Sequence, residues 1–234
     1  MKVLIVGKNS KDLEQLIKET GFSLVDKNPD IVISFGGDGT LLSAERKYPG
    51  IPKLPIRNSQ LCHKCSNHQD KIIFQKLNTD KLPLKNYKKL ETAVLDEKFY
   101  ALNDFVIRNS DPTHTIRFKT SATNDKLLIG DGLVIATPFG SSGYFKSITN
   151  QTFKEGFALA FNNTTQKLPP IFLKDSEKIN FKLVRGKATL SFDNNPNIFV
   201  IEEGLQVNFK LSAQVAKIYE DTSLRCPNCQ VIRG

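Results

Sequence analysis

Gly36-Gly37-Asp38-Gly39-Thr40 closes the apolar run Ile31-Val32-Ile33-Ser34-Phe35 and opens a segment with helical spacing. Three glycines leave room for a ligand against the backbone and permit positive φ. The N–H groups of a following helix converge on the same place, which is the chemistry of a phosphate loop. Asp38 sets a carboxylate where negative charge on a ligand is otherwise welcome. Two chemical tasks account for it: accepting the proton of a substrate hydroxyl, or holding a metal ion. Capping the helix is the alternative that needs no ligand.

The four cysteines form two pairs, Cys62-His63-Lys64-Cys65 and Cys226-Pro227-Asn228-Cys229. Each pair presents two sulfurs at the spacing one metal ion wants, so together they point to a tetrahedral four-thiolate site with zinc as the leading metal. Four thiolates leave no open position for water, which makes the expected role structural: the C-terminal tail tied to a loop in the first third of the chain. A redox pair or disulfides compete with that reading, an iron–sulfur cluster stands behind both, and His63 lies between two proposed ligands.

A third constellation is Asp131-Gly132-Leu133-Val134-Ile135-Ala136-Thr137-Pro138-Phe139-Gly140-Ser141-Ser142-Gly143-Tyr144. It is again an apolar strand pattern that ends in small hydroxyl residues and glycines. Its hydroxyls and N–H groups suit ribose, amide or phosphate, and Tyr144 can pack against a base.

The elements that must position these residues change character along the chain. Up to about residue 85 strand and helix patterns alternate. Strands are expected at Lys2 to Gly7, Phe22 to Val25 and Ile31 to Phe35, and helices from Ser10 to Thr20, Asp38 to Lys47 and Ser66 to Leu77. A ligand loop at the carboxyl end of a strand is where open α/β sheets bind. From Lys89 on, strand patterns dominate: Glu91 to Leu95, Phe99 to Arg108, Thr115 to Thr120, Leu127 to Ala136, Lys178 to Val184, Ala188 to Phe192, Ile198 to Ile201, Gln206 to Leu211 and Gln214 to Tyr219. The expected fold is therefore an open Rossmann-like α/β domain over 1–85, a β-rich sandwich-like domain over 86–220, and a tail over 221–234 that returns to the first domain.

With 234 residues the chain can bury a substantial core, and its 33 Lys and Arg against 24 Asp and Glu leave a net charge of +9. That charge favours polyanionic partners such as nucleotides or polyphosphate. Its scatter gives no specific sign of a nucleic-acid groove, although the cysteines and the charge together keep a zinc-dependent nucleic-acid binder among the alternatives. No apolar run approaches a membrane span, and the first residues enter a strand pattern without a signal-peptide layout, so the expected location is cytoplasmic.

Gly36 to Thr40, Asn103-Asp104 and the Asp131 to Tyr144 segment together, in this order, resemble the NAD kinase family over roughly residues 1 to 220. The first motif is shared with lipid kinases; the Thr137 to Tyr144 segment separates the two. The resemblance implies phosphorylation of the adenosine 2′-hydroxyl of NAD to NADP, with ATP or polyphosphate as donor, Mg²⁺ or another divalent cation, and a homodimer or homotetramer. It makes Asp38 the general base and Gly36, Gly37, Gly39 and Thr40 the phosphate contacts. Nucleotide contacts fall on Asn58, Asn103, Asp104, Asp131, Ser142, Tyr144 and Ser147. Departures are Asp104 where the family has Glu, Phe139 and Ser142 for two threonines, Gly143 for alanine, and Asp193-Asn194-Asn195 for Asp-Gly-Gln. A catalytically inactive NAD(P)-binding regulatory protein is the alternative from a different class.

Overall fold

The computed structural model describes residues 1–8, 10–56, 70–94 and 97–220. Asn58 and all four cysteines lie outside them. The chain divides into two compact units, one of Met1–Tyr87 joined by the segment that begins at Ala216, the other of Lys88–Val215.

In the first unit β1 (Lys2–Gly7), β2 (Ser23–Leu24), β3 (Ile31–Phe35) and β4 (Lys53–Ile56) form a parallel sheet in the order β2-β1-β3-β4. Ile31 to Ser34 are all buried, as a strand covered on both faces must be. Gly7 pairs with Phe35 and Phe35 with Ile56, so the carboxyl ends of β1, β3 and β4 lie level at one edge. Helices α1 (Lys11–Glu19), α2 (Asp38–Lys47) and α3 (Asp70–Asn78) follow β1, β3 and β4 in the chain. Leu13 and Ile17 of α1 and Ile73, Phe74 and Leu77 of α3 pack into one core with Val3, Ile31, Ile33 and Leu54. Ser10 stands at the start of α1 without capping it by a side-chain hydrogen bond; its hydroxyl donates to Glu14 Oε1 at 2.7 Å instead.

The second unit is built from two largely antiparallel sheets. Strand β5 (Leu84–Val94), which starts well before the expected Glu91, pairs with β6 (Glu97–Ala101). The next strands are β7 (Asp104–Asn109), β8 (Ile116–Thr120), β9 (Leu128–Gly130) and β10 (Gly132–Ala136). Helix α4 (Tyr144–Thr149) precedes β11 (Phe157–Asn162), β12 (Ile171–Leu173), β13 (Lys178–Arg185), β14 (Ala188–Phe192), β15 (Phe199–Ile201) and β16 (Gln206–Tyr219). One sheet runs β12-β11-β10-β7-β14-β15; β16, β13, β8 and β9 belong to the other, where β5 pairs with β16. Phe105 of the first sheet meets Phe209 of the second at 5.4 Å between ring centroids, within a shared core that includes Phe118, Leu133, Ile135, Phe181 and Leu190. The fold is the expected one: an open α/β domain and a β sandwich.

Two expected strands are each cut in two for one reason. The run Phe99 to Arg108 becomes β6 and β7, and Leu127 to Ala136 becomes β9 and β10, because each run passes from one sheet into the other. A continuous hydrophobic run carries no sign of which sheet each half will join. The two expected strands Gln206 to Leu211 and Gln214 to Tyr219 instead form one, since Ser212 and Ala213 contain neither Gly nor Pro to break it. Strands β11 and β12 and helix α4 were not anticipated.

Candidate active site

The first unit supplies the Gly36 to Thr40 loop. Gly36 N–H donates to Ile56 O at 2.9 Å, which holds the loop against the end of β4. Gly37 is the residue that precedes α2, with φ −99° and ψ −167°, and Asp38 lies inside the first turn. Asp38 is therefore not the cap of this helix, and its exposed carboxylate stands beside the helix N-terminus. The first N–H groups of any helix lack intrahelical partners and together carry a partial positive charge, so they attract anionic oxygens.

One sequence argument requires correction. Gly36, Gly37 and Gly39 all stay out of the left-handed region, so positive φ is not why glycines are needed here. At Gly36 the reason is close packing: a Cβ would fall 2.3 Å from Thr40 Oγ1. At Gly37 a Cβ would meet nothing within 4 Å, so the open space there belongs to whatever approaches the loop.

The second unit gathers Asn103, Asp104 and Thr137 to Tyr144 at one end of paired strands β7 and β10, where Ala136 lies opposite Asp104. Thr137, fully buried, donates its hydroxyl to Leu102 O at 2.5 Å and its N–H to Asn103 O at 2.9 Å. The same hydroxyl accepts Gly140 N–H at 3.1 Å. Thr137 thus joins the Asn103 turn to the Ser/Gly segment.

Asp193, just after β14, closes the turn from the other side. Its carboxylate accepts Leu102 N–H at 2.5 Å and Asn103 N–H at 2.7 Å, and the backbone of Asp104 also donates to it. Asp193 at φ +45° and Asn194 at φ +52° both adopt the left-handed conformation, which Asp and Asn tolerate best after Gly. Asp193 is absent from the expected site residues; the Asp-Asn-Asn run was the available signal for such a turn. Burial pushes the Asp104 carboxyl up to about 7, with the charge of Asp193 adding to it. Burial pushes Asp193 up to about 6 against its backbone hydrogen bonds and the charge of buried Lys89, which pull it down.

The remaining expected residues divide. Ser142 is exposed within a short 3₁₀ turn (Gly140–Ser142), and half-buried Tyr144 begins α4. Exposed Ser147 donates its hydroxyl to Tyr144 O at 2.7 Å, which leaves its lone pairs free to accept. Asp131 is not brought to this cluster. It precedes β10, accepts from Asn163 Nδ2 at 3.0 Å, and lies about 20 Å along the strand from Thr137 at the usual rise per residue.

Each unit thus carries its own loop suited to phosphate or ribose oxygens, a glycine-aspartate loop on the parallel sheet of the first and a hydroxyl-rich loop on the β sandwich of the second. No family model matches the sequence. The chain is 29% identical over 220 residues to the NAD kinase of Sulfurisphaera tokodaii, covering 87% of this chain and 84% of that one. It is 28% identical over 200 residues to NAD kinase 2 of Bacillus subtilis, covering 76% and 74%. The crystal structure of an NAD kinase from Archaeoglobus fulgidus in complex with ATP superposes with a TM-score of 0.77 at 18% identity, covering 100% of this chain and 98% of that one. The chain is thus similar to NAD kinases in sequence and in fold.

Proposed function

We propose that the protein phosphorylates the adenosine 2′-hydroxyl of NAD, giving NADP. The observation that carries the chemistry is Asp38 inside the first turn of α2, beyond an open Gly37, in a chain similar to NAD kinases. Asp38 takes the hydroxyl proton as the oxygen attacks the transferred phosphorus in line, and the N–H groups from Gly37 to Thr40 hold phosphate oxygens. A hydrated Mg²⁺ would be held chiefly by the donor's phosphate oxygens and water, leaving Asp38 as the base, and would neutralise donor charge.

Asn103, Asp104, Ser142, Tyr144 and Ser147 are assigned to the nucleotide. At neutral pH the Asp104 carboxyl, raised to about 7, can either donate to a nucleotide acceptor or accept from a ribose hydroxyl. Asn58 and Asp131 complete the assignment, and Asp131, remote from the other contacts along β10, accords with a homo-oligomeric enzyme in which a site draws on more than one copy. ATP or polyphosphate is the donor, the cytoplasm the location, and a structural zinc at Cys62, Cys65, Cys226 and Cys229 accompanies the fold.

The test is NADP formation from NAD and Mg²⁺, with ATP and polyphosphate offered separately. Product that vanishes in Asp38→Asn establishes the activity and its base. Saturable NAD binding without product would return the protein to the regulatory reading.

A further inference from the structure

Strands β8, β13 and β16 of the second unit pair side by side with β13 in the middle, and none of them contains Asp or Glu. Ile116, Phe118, Ile179, Phe181, Leu183, Val207 and Phe209 point into the core. The alternate positions face out, and there the register sets cation against cation. Lys178 lies opposite Lys210, and Lys182 opposite Lys119. Simple alternation after Leu183 would turn Arg185 inward. The register shift between Leu183 and Arg185 inserts a residue and leaves Arg185 exposed, opposite exposed Arg117. Cations scattered along the sequence are thus gathered on one sheet face, about 10 Å across its three strands and roughly 20 Å along them.

Like charges directly opposite each other weaken a sheet. Little in the protein offsets that here. Among the described residues Lys210 pairs with Glu91 of β5 at 3.0 Å, whereas Arg117, Lys119, Lys178, Lys182 and Arg185 have no carboxylate within ion-pair distance. Amides fill the places between: Asn180 Nδ2 donates to Asn208 Oδ1 at 3.0 Å, and Gln206 lies opposite Lys182. Cations and amides, with an acid only at the β5 margin, suit a ligand that offers anionic oxygens repeatedly along its length.

What the face lacks narrows that ligand. No outward position in the paired stretches holds an aromatic ring, the platform on which single-stranded nucleic acid stacks its bases. The exposed positions hold no apolar side chain to enter a lipid surface. We propose that the outer face of β8, β13 and β16 binds linear inorganic polyphosphate, a chain that is phosphate throughout and needs neither feature. The face belongs to the sheet opposite the one that carries Asn103 and Thr137 to Tyr144, so it is a docking surface and not the transfer site. The choice of polyphosphate over duplex nucleic acid rests on the donor reading above; the cationic face itself does not.

The test is binding of end-labelled long-chain polyphosphate to the full-length chain, followed by fluorescence anisotropy across a salt series without NAD. Affinity should fall steeply with rising salt, and Lys119→Gln/Lys182→Gln should weaken it by at least about tenfold with a shallower salt slope. Arg117→Gln/Arg185→Gln should act alike, which keeps the test open if one variant folds poorly. Lys27→Gln/Lys81→Gln removes the same net charge from exposed positions of the first unit and should change affinity far less. Tripolyphosphate, too short to span the rows, should compete weakly. Equal losses in the face and control variants, or no binding at low salt, would overturn the proposal. Duplex DNA, duplex RNA or anionic vesicles binding as tightly per phosphate would overturn the assignment to polyphosphate. No readout involves turnover, so polyphosphate held by this face in a protein that forms no NADP would refute the kinase reading and leave the face standing.

Discussion

Asp193 accepts the backbone N–H of Asn103 at 2.7 Å, so a carboxylate ninety residues away in sequence sets the turn that presents a proposed nucleotide contact. The same side chain binds the N–H of Leu102 at 2.5 Å. A buried acceptor shared by consecutive donors fixes their direction more firmly than a single bond does.

Asp193→Asn leaves at most one oxygen for these donors. The expected loss is about 1–3 kcal/mol of stability, the usual cost of a buried donor left unpaired. If Asp193 positions Asn103, KM for NAD should rise more than kcat falls, which a purely structural loss would not produce. Urea unfolding and steady-state kinetics on one preparation check both.

Asp104 and Asp193 form a pair of buried carboxyls, raised from the ordinary 3.8 to about 7 and about 6. A folded pKa above the unfolded one means that the native state holds more protons between the two values. Stability contributed by this pair should therefore fall as pH rises from near 3.8 to about 7 and level off above it. Asp104→Asn should flatten that slope and raise Tm at about pH 8 relative to wild type. A thermal series across the window is the measurement; an unchanged slope would remove the pair as its source.

The glycines of the first loop separate packing from ligand approach. Gly36→Ala drives a Cβ into Thr40 Oγ1 at 2.3 Å and should lower both stability and activity. Gly37→Ala meets nothing within 4 Å and has an ordinary φ of −99°, so its Tm should stay within about 1–2 °C of wild type. A raised KM for the phosphoryl donor in that variant would place phosphate against Gly37, whereas unchanged kinetics would place it elsewhere.

Glu45 of α2 and Lys53 of β4 form an ion pair in the core, with Lys53 0% and Glu45 2% exposed. Lys53 Nζ also donates to Ile51 O at 2.7 Å and to Tyr48 O, so one ammonium holds the end of α2 to the next strand. Removing either partner strands a buried charge and should destabilise by about 3–5 kcal/mol, more than removing both in Glu45→Leu/Lys53→Met. Denaturation of the single and double variants gives the comparison.

Sequence alone determined the first unit closely. Strand β3 and helix α2 fall at their expected residues because a short apolar run, a glycine turn and a helical pattern are local signals that tertiary structure had no cause to override. The strand content of the second unit was legible for the same reason. Only the tertiary structure decided where Phe99 to Arg108 and Leu127 to Ala136 divide, since the choice between two sheets is made by partners distant in the chain. It also separated Asp131 from Thr137 to Tyr144, which share one motif in sequence yet lie at opposite ends of β10. The part played by Asp193 was hidden likewise: three backbone donors meet one carboxylate only after β7 and β14 have paired, and no local pattern of residues encodes that meeting.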